Sequence, residues 1–131
     1  MTENYKKDFV PHEPSLALKE LGFDEPCFGY YKENIKELYK EFYCYNSDYV
    51  DYNELYIAAP IFSQAFRWFR EKHQLDTSIN TVYFKYNDTL SREYNGVIND
   101  KSVFTNIGFY DTYEEAELAC LKNLIEIVKN K

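Results

Sequence analysis

Ile107-Gly108-Phe109-Tyr110-Asp111-Thr112-Tyr113-Glu114-Glu115-Ala116, running on into Glu117-Leu118-Ala119-Cys120-Leu121-Lys122, reads as a strand that feeds directly into a helix. Thr112 is placed to cap the first unpaired backbone donors, and Glu115, three residues on, to close a capping box. Ile61-Phe62-Ser63-Gln64-Ala65 looks like an earlier copy of the same helix opening. In both, an aromatic stands two residues ahead of Gln or Glu, and Ala and an apolar-periodic run follow. A short strand-like run, Leu55-Tyr56-Ile57-Ala58 or Ile107-Gly108-Phe109-Tyr110, precedes each copy. The expected architecture is therefore two sheet-then-helix units in tandem.

The rest of the chain fits around these helices. Residues 1–13 lack periodicity and are expected to form an irregular leader. Residues 15–21 read as a short helix that Gly22 is placed to end in the left-handed conformation. Asp24-Glu25-Pro26 is a turn, and residues 27–32 are a first strand. Residues 38–45 set Leu38, Lys40, Phe42 and Cys44 against Tyr39, Glu41, Tyr43 and Tyr45, the period of a strand. Asn46-Ser47-Asp48 breaks that run, residues 49–58 supply another strand, and a helix follows over 60–74.

In the second half, residues 81–86 form a strand rich in β-branched and aromatic side chains, ended by the turn Asn87-Asp88-Thr89. Residues 91–98 make a weaker strand in which Asn95-Gly96 marks a hairpin turn or a bulge. Asn99-Asp100-Lys101 turns the chain into a strand over 103–110, and the last helix spans 113–129. The expected order is α-βββ-α-βββ-α. Strands joined by short turns run antiparallel, so the class is α+β, an antiparallel sheet packed by helices. The 131 residues suit a single domain, with repeat units over 27–75 and 81–129.

Projection at about 100° per residue gives the second helix one apolar stripe of Phe62, Ala65, Phe66, Phe69 and His73, flanked by Trp68 and Ile61. Gln64, Arg67 and Glu71 lie opposite. His73 is expected to be a helix-terminal histidine favoured by the dipole, with a ligand or base as the alternative. Apolar side chains of the last helix cover more than half its circumference, enough for a core or for a subunit interface, which leaves homo-oligomerisation open. Glu117 projects into that apolar arc, but its first-turn position favours a structural role over that of a functional acid. Cys120 on the same arc reads as a small buried hydrophobe.

Composition narrows the function classes. Hydrophobic residues make up 45% and charged residues 28%, as in an ordinary globular chain. Three scattered cysteines, with no secretion signal ahead of them, point to a reducing cytoplasm. No apolar run reaches the length of a membrane span, so a soluble cytoplasmic protein without a membrane partner is expected. The net charge of −7, from 15 basic and 22 acidic residues, argues against capture by nucleic acid, which needs a basic stripe. Aromatic content, at 19% with 14 Tyr and 10 Phe, is the outlier. Such tyrosines are read as half-exposed strand residues, or as the product of an AT-rich genome that also enriches Asn and Lys, ahead of a recognition surface.

Motifs for chemistry are thin. His12 and His73 and the three cysteines show no metal-ligand spacing, Gly22, Gly29, Gly96 and Gly108 are isolated, and no nucleophile elbow occurs. No cofactor or metal site and no catalytic residue is expected. One stretch invites a partner. From Tyr43 to Glu54, tyrosines alternate with carboxylates without a Lys or Arg. Tyr45, Asp48, Tyr49, Asp51, Tyr52 and Glu54 are its candidate contact residues. An acidic aromatic patch can grip a basic partner, or can serve merely as a solvated edge.

Three segments carry a resemblance: Ser15-Leu16-Ala17-Leu18-Lys19-Glu20-Leu21-Gly22-Phe23-Asp24-Glu25-Pro26-Cys27, the run from Ala59-Pro60 through Gln64-Ala65-Phe66-Arg67-Trp68-Phe69-Arg70-Glu71-Lys72, and Tyr113-Glu114-Glu115-Ala116-Glu117-Leu118-Ala119-Cys120-Leu121-Lys122. They are similar to a group of small, uncharacterised bacterial and phage proteins, which implies a phage or prophage origin and brings no activity with it. The strand-to-helix junction Gly108-Phe109-Tyr110-Asp111-Thr112-Tyr113-Glu114-Glu115-Ala116 also resembles that of AP2-type and integrase-arm DNA-binding domains. The expected function is a non-enzymatic interaction, inhibitory or regulatory module that binds a host or phage protein through the Tyr/acid surface. A nucleic-acid-binding accessory protein, with Arg67, Arg70, Lys72, Lys85 and Arg92 on one face, is the alternative. An unrecognised enzyme comes third.

Overall fold

Two units divide the chain, residues Met1–Ala65 and Phe66–Lys131. The computed structural model describes residues 4–32, 34–46 and 56–131. A 3-10 helix (Asn4–Asp8) precedes α1 (His12–Glu20), β1 (Cys27–Lys32), β2 (Ile35–Cys44), β3 (Tyr56–Ala59), α2 (Phe62–His73), β4 (Leu75–Tyr86), β5 (Thr89–Asp100), β6 (Val103–Tyr110) and α3 (Tyr113–Lys129). The class is α+β, with two three-stranded antiparallel sheets, and the order is the expected α-βββ-α-βββ-α. The leader departs from expectation. It coils into the 3-10 helix, and Phe9 bridges to Ile61.

In the first unit β1 is the central strand, flanked by β2 and β3. Its inward positions Cys27, Gly29 and Tyr31 are buried, together with Val10, Leu18, Phe23, Leu38 and Ile57. Val10 is pinned from three sides. Its N–H donates to Pro60 O at 2.8 Å, and its carbonyl accepts the Ser15 and Tyr31 hydroxyls at 3.1 and 3.0 Å. Helix α1 starts earlier than its periodicity indicates and ends as expected. Gly22 takes φ +98°, its N–H donates to Lys19 O, and Phe23 N–H donates to Leu18 O, each at 3.0 Å. These bonds satisfy carbonyls the helix end would orphan, and buried Leu18 and Phe23 supply the accompanying apolar contact.

The second unit winds differently. Here the middle strand in sequence, β5, is also central in space, so β4, β5 and β6 form a meander. Strand β4 begins at Leu75 rather than 81, because Leu75, Thr77 and Ile79 alternate with Asp76, Ser78 and Asn80 in one continuous period-two run. Both hairpins close through two-residue turns with positive φ at each central residue: Asn87 and Asp88 at +50° and +64°, Lys101 and Ser102 at +50° and +72°. That geometry matches the right-handed twist of paired strands. Asn95-Gly96 is therefore not a turn. It sits in mid-strand, and the expected irregularity falls on its partner, where Gly96 pairs with Gly108 but Val97 with Asn106, leaving Ile107 bulged.

Helix α3 packs across β4, β5 and β6, burying Ala116, Cys120, Leu121, Leu124 and Ile125 with Leu75 and Ile98. The approach is close enough that a Cβ on Gly96 would lie 2.5 Å from Cys120 Sγ, so only glycine fits under the helix. The Thr112 hydroxyl accepts from Glu115 N–H at 3.1 Å, as expected of a cap. It also donates to the Glu115 carboxylate at 2.9 Å. The earlier copy works otherwise. The Gln64 amide leaves its helix and donates to Pro26 O at 2.9 Å and to the Glu25 carboxylate at 3.3 Å.

Candidate docking surface

Of the Tyr/acid stretch, Asp48, Tyr49, Asp51, Tyr52 and Glu54 lie outside the described residues. Tyr45 is described and exposed. Its neighbour Asn46 is not a surface residue at all. It is buried, donating through Nδ2 to Phe23 O at 2.7 Å and accepting from Ala58 N–H at 2.8 Å. Other tyrosines of this region line the outer side of the first sheet. Tyr30 stacks on Tyr39 at 5.3 Å and meets Tyr56 edge-on at 5.2 Å, with the Lys32 ammonium over Tyr39. That is the half-exposed strand role that suits tyrosine.

The second sheet presents a different surface. Directly opposite residues of an antiparallel pair share a face, and successive residues alternate. Leu75, Gly96 and Ile98 are buried and mark the side that α3 covers. Counting along the ladders from them puts Asp76, Asn80, Val82, Phe84 and Tyr86 on the helix-free side of β4. Glu93, Asn95, Val97 and Asn99 join them from β5, and Phe104, Asn106 and Phe109 from β6. Four large aromatics here are open to solvent: Phe84 at 43%, Tyr86 at 76%, Phe104 at 71% and Phe109 at 49%.

The face is a trough rather than a plane. Phe84 lies opposite Ser91 and Phe109 opposite Asn95, two strands apart, yet their rings meet edge-on at 5.9 Å. Such a contact requires the β4–β5 hairpin to coil toward β6 on this side. Strand β6 ends opposite Tyr94, whereas β4 and β5 continue to the Asn87-Asp88 turn. From the Val82–Glu93 pair outward they form a two-stranded ribbon, with no third strand among the described residues. Asn95 Nδ2 donates to Asn106 Oδ1 at 2.7 Å and to Gly108 O at 3.0 Å, fastening the floor of the trough across β5 and β6.

Charge is segregated across this sheet. Lys85 and Arg92 pair with Leu90 and Tyr83 on the helix side, where the Arg92 guanidinium lies 5.6 Å from the Tyr94 ring centroid. The helix-free side carries Asp76 and Glu93 and has no Lys or Arg among its described residues. Tyr94 continues the helix side to Tyr113, edge-on at 5.8 Å.

The titratable residues singled out by sequence are buried or half-buried. His73 is half-buried at the end of α2, edge-on to Trp68 at 4.9 Å. Burial, and after it Lys131 and Lys72, pull its imidazole below the ordinary value. Burial, reinforced by Cys44 and Glu25, pushes the Cys27 thiol up to about 12. Cys120 rises to about 11 through burial and then Glu117, which is itself half-buried. Thiols so placed stay protonated at neutral pH.

Among the described residues no group of three or more His, Cys, Asp or Glu is arranged to share a metal ion, and no helix is long and apolar enough to cross a membrane. Comparison with known proteins adds no relative: no family model, curated protein or solved structure matches the chain.

Proposed function

We propose that the protein is a non-enzymatic interaction module of inhibitory or regulatory type that docks another protein. The observation that carries this reading is the concave, helix-free face of β4–β6 with Phe84, Tyr86, Phe104 and Phe109 open to solvent. Phe84 and Phe109 are in contact and Tyr86 and Phe104 lie on the same face; exposed aromatics rimmed by polar side chains mark interaction sites, because their burial supplies affinity at low entropic cost. The resemblance to small bacterial and phage proteins is in keeping with a host or phage protein as the partner. The Tyr/acid stretch from Tyr45 to Glu54 is a second contact region within the same proposal.

The test is affinity capture from bacterial lysate with the full chain, a Phe84→Ser/Phe109→Ser variant, and a Tyr45→Ala/Tyr49→Ala/Tyr52→Ala variant. A stoichiometric partner lost only with the phenylalanines supports the sheet face. A partner lost only with the tyrosines moves the site to the other region. A partner retained by both variants rejects both surfaces.

A second reading has one observation in its favour. The Gly108–Ala116 junction, which resembles the strand-to-helix junction of AP2-type and integrase-arm DNA-binding domains, joins β6 to α3, and α3 packs on the β4–β6 sheet. That reading requires cations on the open face, yet the register sends Lys85 and Arg92 to the other side. A salt-sensitive shift of labelled duplex DNA by the full chain would favour it.

A further inference from the structure

Resting on the sheet-face reading, we infer that the trough of β4–β6 receives a basic, arginine- or lysine-bearing segment of its partner protein. Three features of the face converge on that chemistry. The rings of Phe84 and Phe109 meet edge-on at 5.9 Å across the trough and are each about half exposed, so the ring surface that this contact leaves open can receive a guanidinium or ammonium group. Asp76 and Glu93 are the charged groups of this face among the described residues, both carboxylates. Asn95 commits its amide donor to Asn106 and Gly108, so what it turns to a ligand is a carbonyl acceptor.

Other occupants fit less well. A nucleic acid or an anionic lipid surface would bring phosphates to a face without a cation, against a net charge of −7. A second copy of the chain docking face to face would set carboxylates against carboxylates. An apolar helix would bury the aromatics but leave the Glu93 carboxylate and the Asn95 carbonyl desolvated without a donor. A cationic segment with intervening apolar residues answers the rings, the carboxylates and the Asn95 carbonyl, while Asn106, whose Oδ1 already accepts from Asn95 Nδ2 and Gly108 N–H, has its own amide donor left for a backbone carbonyl of that segment.

The probe is a short synthetic peptide alternating arginine with leucine, set beside the same peptide with glutamate for arginine and beside a mixed-sequence DNA duplex. Each is titrated into isotope-labelled full chain and followed by amide chemical shifts. The expected result is saturable binding of the arginine peptide, with shifts centred on Phe84, Asn95 and Phe109. Affinity should fall about tenfold in Asp76→Lys/Glu93→Lys, whose exposed and half-exposed sites leave the fold intact, as the unperturbed spectrum checks. Raising salt should weaken wild-type binding more than that of the variant.

Absence of arginine-peptide binding, shifts elsewhere on the chain, or equal affinity in the variant would overturn the inference. So would preference for the glutamate peptide or the duplex at this face. The two levels of the proposal fail separately. If Phe84→Ser/Phe109→Ser abolishes capture from lysate while the arginine peptide does not bind, the surface stands and the basic partner is wrong. If that variant leaves capture intact, the surface itself is wrong.

Discussion

Asn46 joins two backbone segments that lie far apart in sequence, the Phe23 carbonyl after α1 and the Ala58 N–H in β3. Its burial turns both bonds into obligations, since neither group has water to fall back on. Asn46→Ala should therefore cost about 2–4 kcal/mol, read as a lowered urea midpoint with an unchanged slope. In sequence this residue reads as a strand breaker beside acidic tyrosines, because an asparagine in a turn and an asparagine clamping buried backbone look alike until the fold closes. Cys27 carries a pH prediction. Its folded thiol, at about 12, lies above its ordinary value of 9.0. The folded state therefore binds the proton more tightly, and the resulting stability is whole below pH 9 and lost as pH rises toward 12. Wild type should lose more stability between about pH 8 and pH 11 than Cys27→Ala does, in paired urea titrations. An equal loss would detach the thiol from the effect.

Elements were legible in proportion to how local their signals are. The Thr112 cap, the Gly22 terminator and the β1 and α3 limits each rest on a few adjacent residues, and each is found where the sequence puts it. The open aromatic face of the second sheet was not legible, because it depends on register. Taking Asn99-Asp100-Lys101 as the turn, when the chain turns at Lys101-Ser102, shifts the β5–β6 pairing. A one-residue slip exchanges the two faces of a strand. Ending β5 at Ile98 and starting β4 at 81 hid the long ladder that separates Lys85 and Arg92 from Asp76 and Glu93. The alternation of Leu75 to Asn80 was the signal that could have revealed it. The ribbon beyond β6 carries its own expectation. Two strands alone are marginal in water, and residues 82–93 pair with no third strand among the described residues and are mostly exposed. Their amides should exchange with deuterium faster than those of β5 from Asn95 to Ile98. Equal protection would mean the ribbon is held by contacts other than its own ladder.

At the scale of the whole molecule, the class was legible because the alternation of strand and helix patterns survives errors of several residues at each boundary. The repeat was legible only as an element order. Both units hold three antiparallel strands, but β1 is central in one sheet and β5 in the other, and local patterns do not encode which neighbour a strand chooses. Mid-strand Asn95-Gly96 has a last consequence, for how the molecule ages. In an open chain, Asn-Gly is the dipeptide that cyclises most readily, the glycine nitrogen attacking the asparagine amide carbon and releasing ammonia. Here Gly96 sits in the central strand opposite Ile79 and Gly108 at once, and the Asn95 amide is held by Asn106 and Gly108. The extended, doubly paired backbone keeps nitrogen and amide carbon from meeting, so deamidation at Asn95 should proceed only through opened molecules. Its rate, followed as a gain of mass and negative charge over weeks of storage, should rise with sub-denaturing urea. The fold thus acts as its own preservative, and the age of a sample records how often its second sheet has come apart.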